Sequence, residues 1–169
     1  MKRYSLKIGI LGMFCFVTIV FVVIPYVCTK IDRALNFPCF IGDIYLLTGI
    51  ILLVIGGALT LWCLILFIFI GKGTPVPLYP PKKFVIKGSY KYTRNPMMLG
   101  VWMILIGEAL VLFSFSLIIF TVFIAIPSGA LFVIKYEEKD LQERFGKEYL
   151  EYKDRVPRWL PGLKSKKCK

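Results

Sequence analysis

Glu108 is the one charged residue inside the apolar run from Met97 to Ile134. A charge there costs about 2.5–3.5 kcal/mol on insertion scales unless it is paired or neutral. It should therefore face protein, either lining a cofactor or substrate cavity or anchoring an interhelical hydrogen bond. The sequence contains no histidine, which removes the commonest general base, the Ser-His and Cys-His nucleophile systems and histidine metal sites. Any catalysis must need little proton transfer or must use Glu, Lys or Tyr. Gly71-Lys72-Gly73-Thr74 lacks the spacing of a phosphate-binding loop and follows no strand. Glu137 and Glu138, just beyond the last apolar run, read on their own as solvated charge at a membrane edge.

The elements that position these residues follow from hydropathy. Of 169 residues 57% are hydrophobic, far beyond what the core of a soluble domain of this length requires. The pattern predicts an all-α polytopic membrane protein with four transmembrane helices in a single membrane domain: 8–28, 44–70, 97–113 and 117–134. The last two form a hairpin turning near Ser114-Phe115-Ser116. One continuous helix from Met97 to Ile134 would overshoot a bilayer about 30 Å thick. The first apolar run is too long for a signal peptide core and no small-residue cleavage site follows it, so it reads as a retained helix.

Net charge is +12, and its distribution sets the expected topology. The loop 71–96 carries Lys72, Lys82, Lys83, Lys87, Lys91 and Arg94 with no acid, and the N-terminal segment carries Lys2, Arg3 and Lys7. Basic short loops mark the cytoplasmic side, so this loop and both termini are expected there. The basic excess also suits anionic lipid headgroups. No segment combines a basic face with exposed aromatics on a soluble module, so nucleic-acid binding is not expected. The five cysteines show no CxxC spacing and indicate neither a metal site nor a disulfide framework. Short loops without sorting signals suit a prokaryotic cytoplasmic membrane.

Pro75, Pro77, Pro80 and Pro81 forbid a continuous helix in the first half of the loop. It is long for a bundle connection, and its aromatics Tyr79, Phe84, Tyr90 and Tyr92 argue against disorder. The tail 135–169 repeats Leu141, Phe145, Tyr149 and Tyr152 at helical spacing, which predicts an amphipathic helix on the membrane surface, broken near Gly146.

These segments form a recognisable series. GxGTPxPxxPPxxxVxxGxYxxxRNPMxxG, an apolar hairpin, and EExxLxxxFGxEYxxYxxxVPRWLP follow in order over residues 71–161. The series resembles the isoprenylcysteine carboxyl methyltransferase and phospholipid methyltransferase group of integral membrane methyltransferases. The resemblance implies a cytoplasmic S-adenosylmethionine pocket contacted by Lys82, Lys83, Phe84, Val85 and Tyr90, with Asn95, Pro96, Met97 and Met98 as the next wall. Glu137 would hold the cofactor's ammonium, and Arg94 suits a carboxylate. Arg94, Glu138 and Glu108 are the catalytic candidates, with Tyr90 a further possible base. The isoprenylcysteine enzymes have His at Asn95, Tyr at Met98 and Arg at Val133, so the acceptor is left as a lipidic or amphiphilic carboxylate or amine, entering between helices from the lipid. Two other functions fit the pattern: an NADPH-dependent membrane reductase, with Lys82, Lys83 or Lys87 on a 2′-phosphate, and a non-catalytic membrane scaffold.

Overall fold

The computed structural model describes residues 6–38, 42–73, 81 and 83–159, and all regular structure among them is helical. Lys82 and the proline-rich 74–80 lie outside the described residues. Helix α1 covers residues 6–35, α2 runs Asp43–Gly71, α3 Pro96–Val111 and α4 Phe115–Arg155. Helices α1, α2 and α4 are long and apolar enough to cross a membrane. The expected third crossing, 97–113, is a helix of 16 residues, about 24 Å long, because the hairpin turn occupies Leu112 and Phe113.

Pro25 and Pro127 stand inside α1 and α4, where a proline removes an N–H and its ring meets the carbonyl four residues earlier. In both cases that carbonyl belongs to a wider π turn, Ile19–Val23 before Pro25 and Thr121–Ala125 before Pro127. The wider turn carries the carbonyl away from the ring, so each helix continues through its proline.

Helices α2 and α3 pack backbone against backbone. A Cβ on Gly49 would lie 2.9 Å from the Gly107 carbonyl oxygen, and one on Gly56 would lie 2.8 Å from that of Gly100. The glycines are a heptad apart on each helix and meet antiparallel, so one seam stays closed over two turns. At the far end, Asp32 of α1 accepts hydrogen bonds from the Ser114 hydroxyl and, at 2.9 Å, from the Ser116 N–H. Ser114 in turn caps α4 by accepting from the Leu117 N–H at 3.2 Å. Asp32 thus fixes α1 to the first turn of α4, an N-terminus that favours negative charge. The turn itself centres on Leu112–Ser114, with Phe113 left-handed at φ 51°, slightly ahead of the serine triplet.

The 41 residues of α4 amount to about 60 Å of helical rise along the chain, twice the hydrocarbon thickness. Its apolar part ends at Ile134, and Lys135, Glu137, Glu138, Lys139 and Asp140 follow. The tail helix is therefore the continuation of α4, bent at Gly146, whose φ of 53° and ψ of −122° are non-helical. Its aromatic face packs against the loop, with Phe84 stacked on Phe145 at 5.1 Å and edge-on to Tyr149 at 5.7 Å and Tyr152 at 5.1 Å. Tyr149 and Tyr152 are buried against this aromatic partner in the loop.

Candidate functional site

Loop, tail helix and C-terminal segment meet at a corner formed by Thr93-Arg94-Asn95. Pro96 forces the preceding residue out of helical geometry, and Asn95 has φ −128° and ψ 53°. The corner turns here and α3 starts with proline in its first turn, where the missing N–H does no harm. The Arg94 side chain, 10% exposed, donates through Nη1 to Glu138 Oε1 at 2.8 Å. Buried Arg94 Nε finds no hydrogen-bond partner among the described residues.

Glu138 is the centre of a cationic cluster. Its Oε1 also accepts from Arg158 Nε at 2.7 Å and its Oε2 from Arg158 Nη2 at 3.0 Å, while Lys153 Nζ stands 3.6 Å away. Burial works to raise the pKa of Glu138, but the Arg158 hydrogen bonds and the charges of Arg94, Arg158 and Lys153 outweigh it and hold the carboxyl below its ordinary value. The adjacent Glu137 moves the other way: burial, then Glu138 and Asp140, push it up to about 7. Neighbouring carboxylates are thus separated in protonation at neutral pH, a pattern that marks functional sites.

From sequence, Arg94 and Glu137 were expected to close over one ligand, with no partner within the protein assigned to either. Arg94 is paired with Glu138, and Glu137 is the adjacent residue on α4. Val85 and Tyr90 are buried in a core cluster with Cys63 and Leu66, against which Met97 packs. The Tyr90 carbonyl accepts from the Tyr152 hydroxyl at 2.7 Å, and its ring sits edge-on to Phe67 at 5.7 Å. Burial raises the Tyr90 hydroxyl well above its ordinary pKa, so it stays protonated at neutral pH. Phe84 is the wedge described above, and Lys83 is exposed.

Asn95 is buried and its amide donates to the Arg158 carbonyl at 3.0 Å, holding the C-terminal segment rather than pointing freely into a pocket. Pro96 is fully buried. Met98 lies opposite Gly129 of α4, where a Cβ would come within 3.3 Å of its sulfur and of Trp102 Nε1. Val133, the position of an arginine in the isoprenylcysteine enzymes, is fully buried. Glu108 stands twelve residues along α3 from Pro96, about 18 Å by helical rise. It therefore stands at a different level of the bundle from Arg94 and Glu138. Its buried Oε2 has no partner among the described residues.

Sequence reasoning gave no role to Arg158, Lys153 or the Trp102–Trp159 pair, whose rings lie 4.8 Å apart. Arg158 was visible within the VPRWLP motif. Nothing local tied it to a carboxylate twenty residues earlier.

The model of the phospholipid methyltransferase family matches residues 44–148. That is more than half of the chain and includes α2, the loop, the α3–α4 hairpin and both site glutamates, and the chain belongs to this family of membrane methyltransferases. No curated protein and no solved structure matches it.

Proposed function

We propose that this member of the phospholipid methyltransferase family transfers a methyl group from S-adenosylmethionine to a lipidic or amphiphilic acceptor at the Arg94 corner, on the cytoplasmic side of four membrane crossings. The observation that carries the reading is Arg94: nine-tenths buried, bonded to Glu138 through Nη1 and in contact with the Tyr149 hydroxyl, with its Nε unpartnered among the described residues. A buried guanidinium edge suits a carboxylate, and Glu137 one residue from its partner suits an ammonium. The donor set therefore fits the amino-acid end of such a cofactor. When bound, the cofactor supplies an electrophilic methyl group on a sulfonium.

The chain's own contribution is binding, alignment and exclusion of water, which is what an in-line displacement asks of a protein. Arg94 holds an anionic group and Glu137 a cationic one. Phe84, Tyr149 and Tyr152 close the loop over the tail helix and keep bulk water out. A carboxylate acceptor is already ionised and needs no base. For an amine acceptor Tyr90 stays protonated, and Glu138 has both oxygens engaged by guanidinium groups. Glu137, poised at about 7, is then the group able to take a proton.

The test is calorimetric titration of the detergent-purified protein with S-adenosylhomocysteine and, separately, NADPH, repeated on Arg94→Ala and Glu137→Ala. Saturable S-adenosylhomocysteine binding, lost in both variants at unchanged melting temperature, is the expected result. Binding of NADPH alone, or of neither by folded protein, overturns the proposal.

A further inference from the structure

The C-terminal segment Val156–Trp159 is stitched to every residue of the corner. The Arg94 N–H donates to the Pro157 carbonyl at 2.9 Å, and the Thr93 hydroxyl and Asn95 amide donate to the Arg158 carbonyl at 3.1 and 3.0 Å. Trp159 packs on Trp102 of α3. The segment lies beyond the residues the family match covers. Its side chains nonetheless set the electrostatics of the corner, because Arg158 grips Glu138 through both Nε and Nη2.

A guanidinium beside a carboxylate prefers the two-pronged arrangement, one N–H to each oxygen. Glu138 can offer that seat to one arginine, and Arg158 occupies it. Arg94 is left with one bond to Glu138, from Nη1 to the shared Oε1, and among the described residues its Nε remains without a partner. Without Arg158, both Glu138 oxygens would be open to Arg94, whose fork could turn onto them and take its Nε out of use.

We infer that Arg158 is a positioning residue for anion capture: by filling the two-pronged seat on Glu138 it keeps the buried Nε edge of Arg94 free for the carboxylate of the cofactor. This rests on the cofactor reading above. The excess of cations over Glu138 (Arg94, Lys153 and Arg158) further favours an anionic group at the corner.

The experiment compares binding of S-adenosylmethionine with that of decarboxylated S-adenosylmethionine, which keeps the sulfonium and ammonium and lacks only the carboxylate. Wild type is measured first, and if it binds neither, the cofactor reading and this inference fall together. With wild-type binding established, Arg158→Gln is expected to weaken S-adenosylmethionine about tenfold, the scale of one charge-assisted hydrogen bond, and to leave the decarboxylated ligand within about twofold. Unchanged S-adenosylmethionine affinity in folded Arg158→Gln overturns the inference while leaving the cofactor reading intact, and so does an equal loss for both ligands. Should Arg158→Gln fail to fold, Arg158→Lys decides by the same comparison, because lysine keeps the charge but cannot form the fork. A smaller loss confined to the carboxylate-bearing ligand supports the inference, and no difference between the ligands refutes it.

Discussion

Replacing Glu138 by glutamine keeps the shape of the cluster and removes its one negative charge. Glu138 and Arg94 are 7% and 10% exposed, whereas Arg158 and Lys153 are 32% and 36% exposed. Breaking a buried pair costs about 3–5 kcal/mol, because the surviving charge is left unpaired. The partly exposed partners regain water and add about 0–1 kcal/mol each at most, so a destabilisation of about 3–5 kcal/mol, set mainly by the buried Arg94–Glu138 pair, is expected. Equilibrium unfolding in mixed micelles with increasing sodium dodecyl sulfate measures it. The pH dependence supplies an internal control. The folded pKa of Glu138 is depressed below its ordinary 4.5, so its stabilisation is fully present above that value and is lost as pH falls through the folded pKa. The difference between wild type and Glu138→Gln should therefore be constant near neutrality and shrink in acid. A loss under about 1 kcal/mol, or a difference that does not shrink in acid, would refute the assignment of Glu138 as the charge centre.

Glu137 should show the opposite linkage: its pKa is raised from 4.5 to about 7, so the stabilisation it contributes is present below 4.5 and is lost as pH rises through 7. Ligand binding that needs its carboxylate should release a proton and tighten between pH 6 and 8, and Glu137→Gln should flatten both trends; calorimetry in buffers of different ionisation enthalpy reads the proton count. Gly56→Val or Gly107→Val should push apart the α2–α3 seam, where a Cβ already meets backbone at 2.8 Å, costing about 3 kcal/mol or more. Loss of folded protein on size exclusion in detergent would show it, and a normal melting temperature would contradict the seam. Phe84→Ala removes the wedge between loop and tail helix and should cost about 2–3 kcal/mol, below the full cost of a buried phenylalanine because Phe84 is only partly buried. Faster proteolysis within the tail helix, with the α2–α3 core intact, is the expected readout.

How much of the site was legible varied with its range in sequence. Arg94 and both glutamates were identified as residues, since a proline-bounded corner and acids at the end of an apolar run are local signals. The break at Gly146 and the hairpin turn were legible for the same reason. The choice of partner was not: Arg94 could reach either of two adjacent carboxylates, and which one it meets depends on the rotation of α4 about its axis. Tyr90 read as an available ring and proved to be core, because its burial depends on Phe67 and Cys63 of α2 and on the Tyr152 hydroxyl.

By itself the sequence determined the helical membrane class, the family and Arg94, Glu137 and Glu138 as candidates, since hydropathy, helical period and turn residues act over spans of a few residues to a few turns. Only the tertiary structure decided that Arg158 shares Glu138 with Arg94, that Asp32 ties α1 to the start of α4, and that the tail's aromatic face meets Phe84. Each of those contacts joins segments twenty or more residues apart. Charge-assisted hydrogen bonds and ring packing are settled by differences of about an ångström in how helices approach, and the order of residues along a chain carries no such distance.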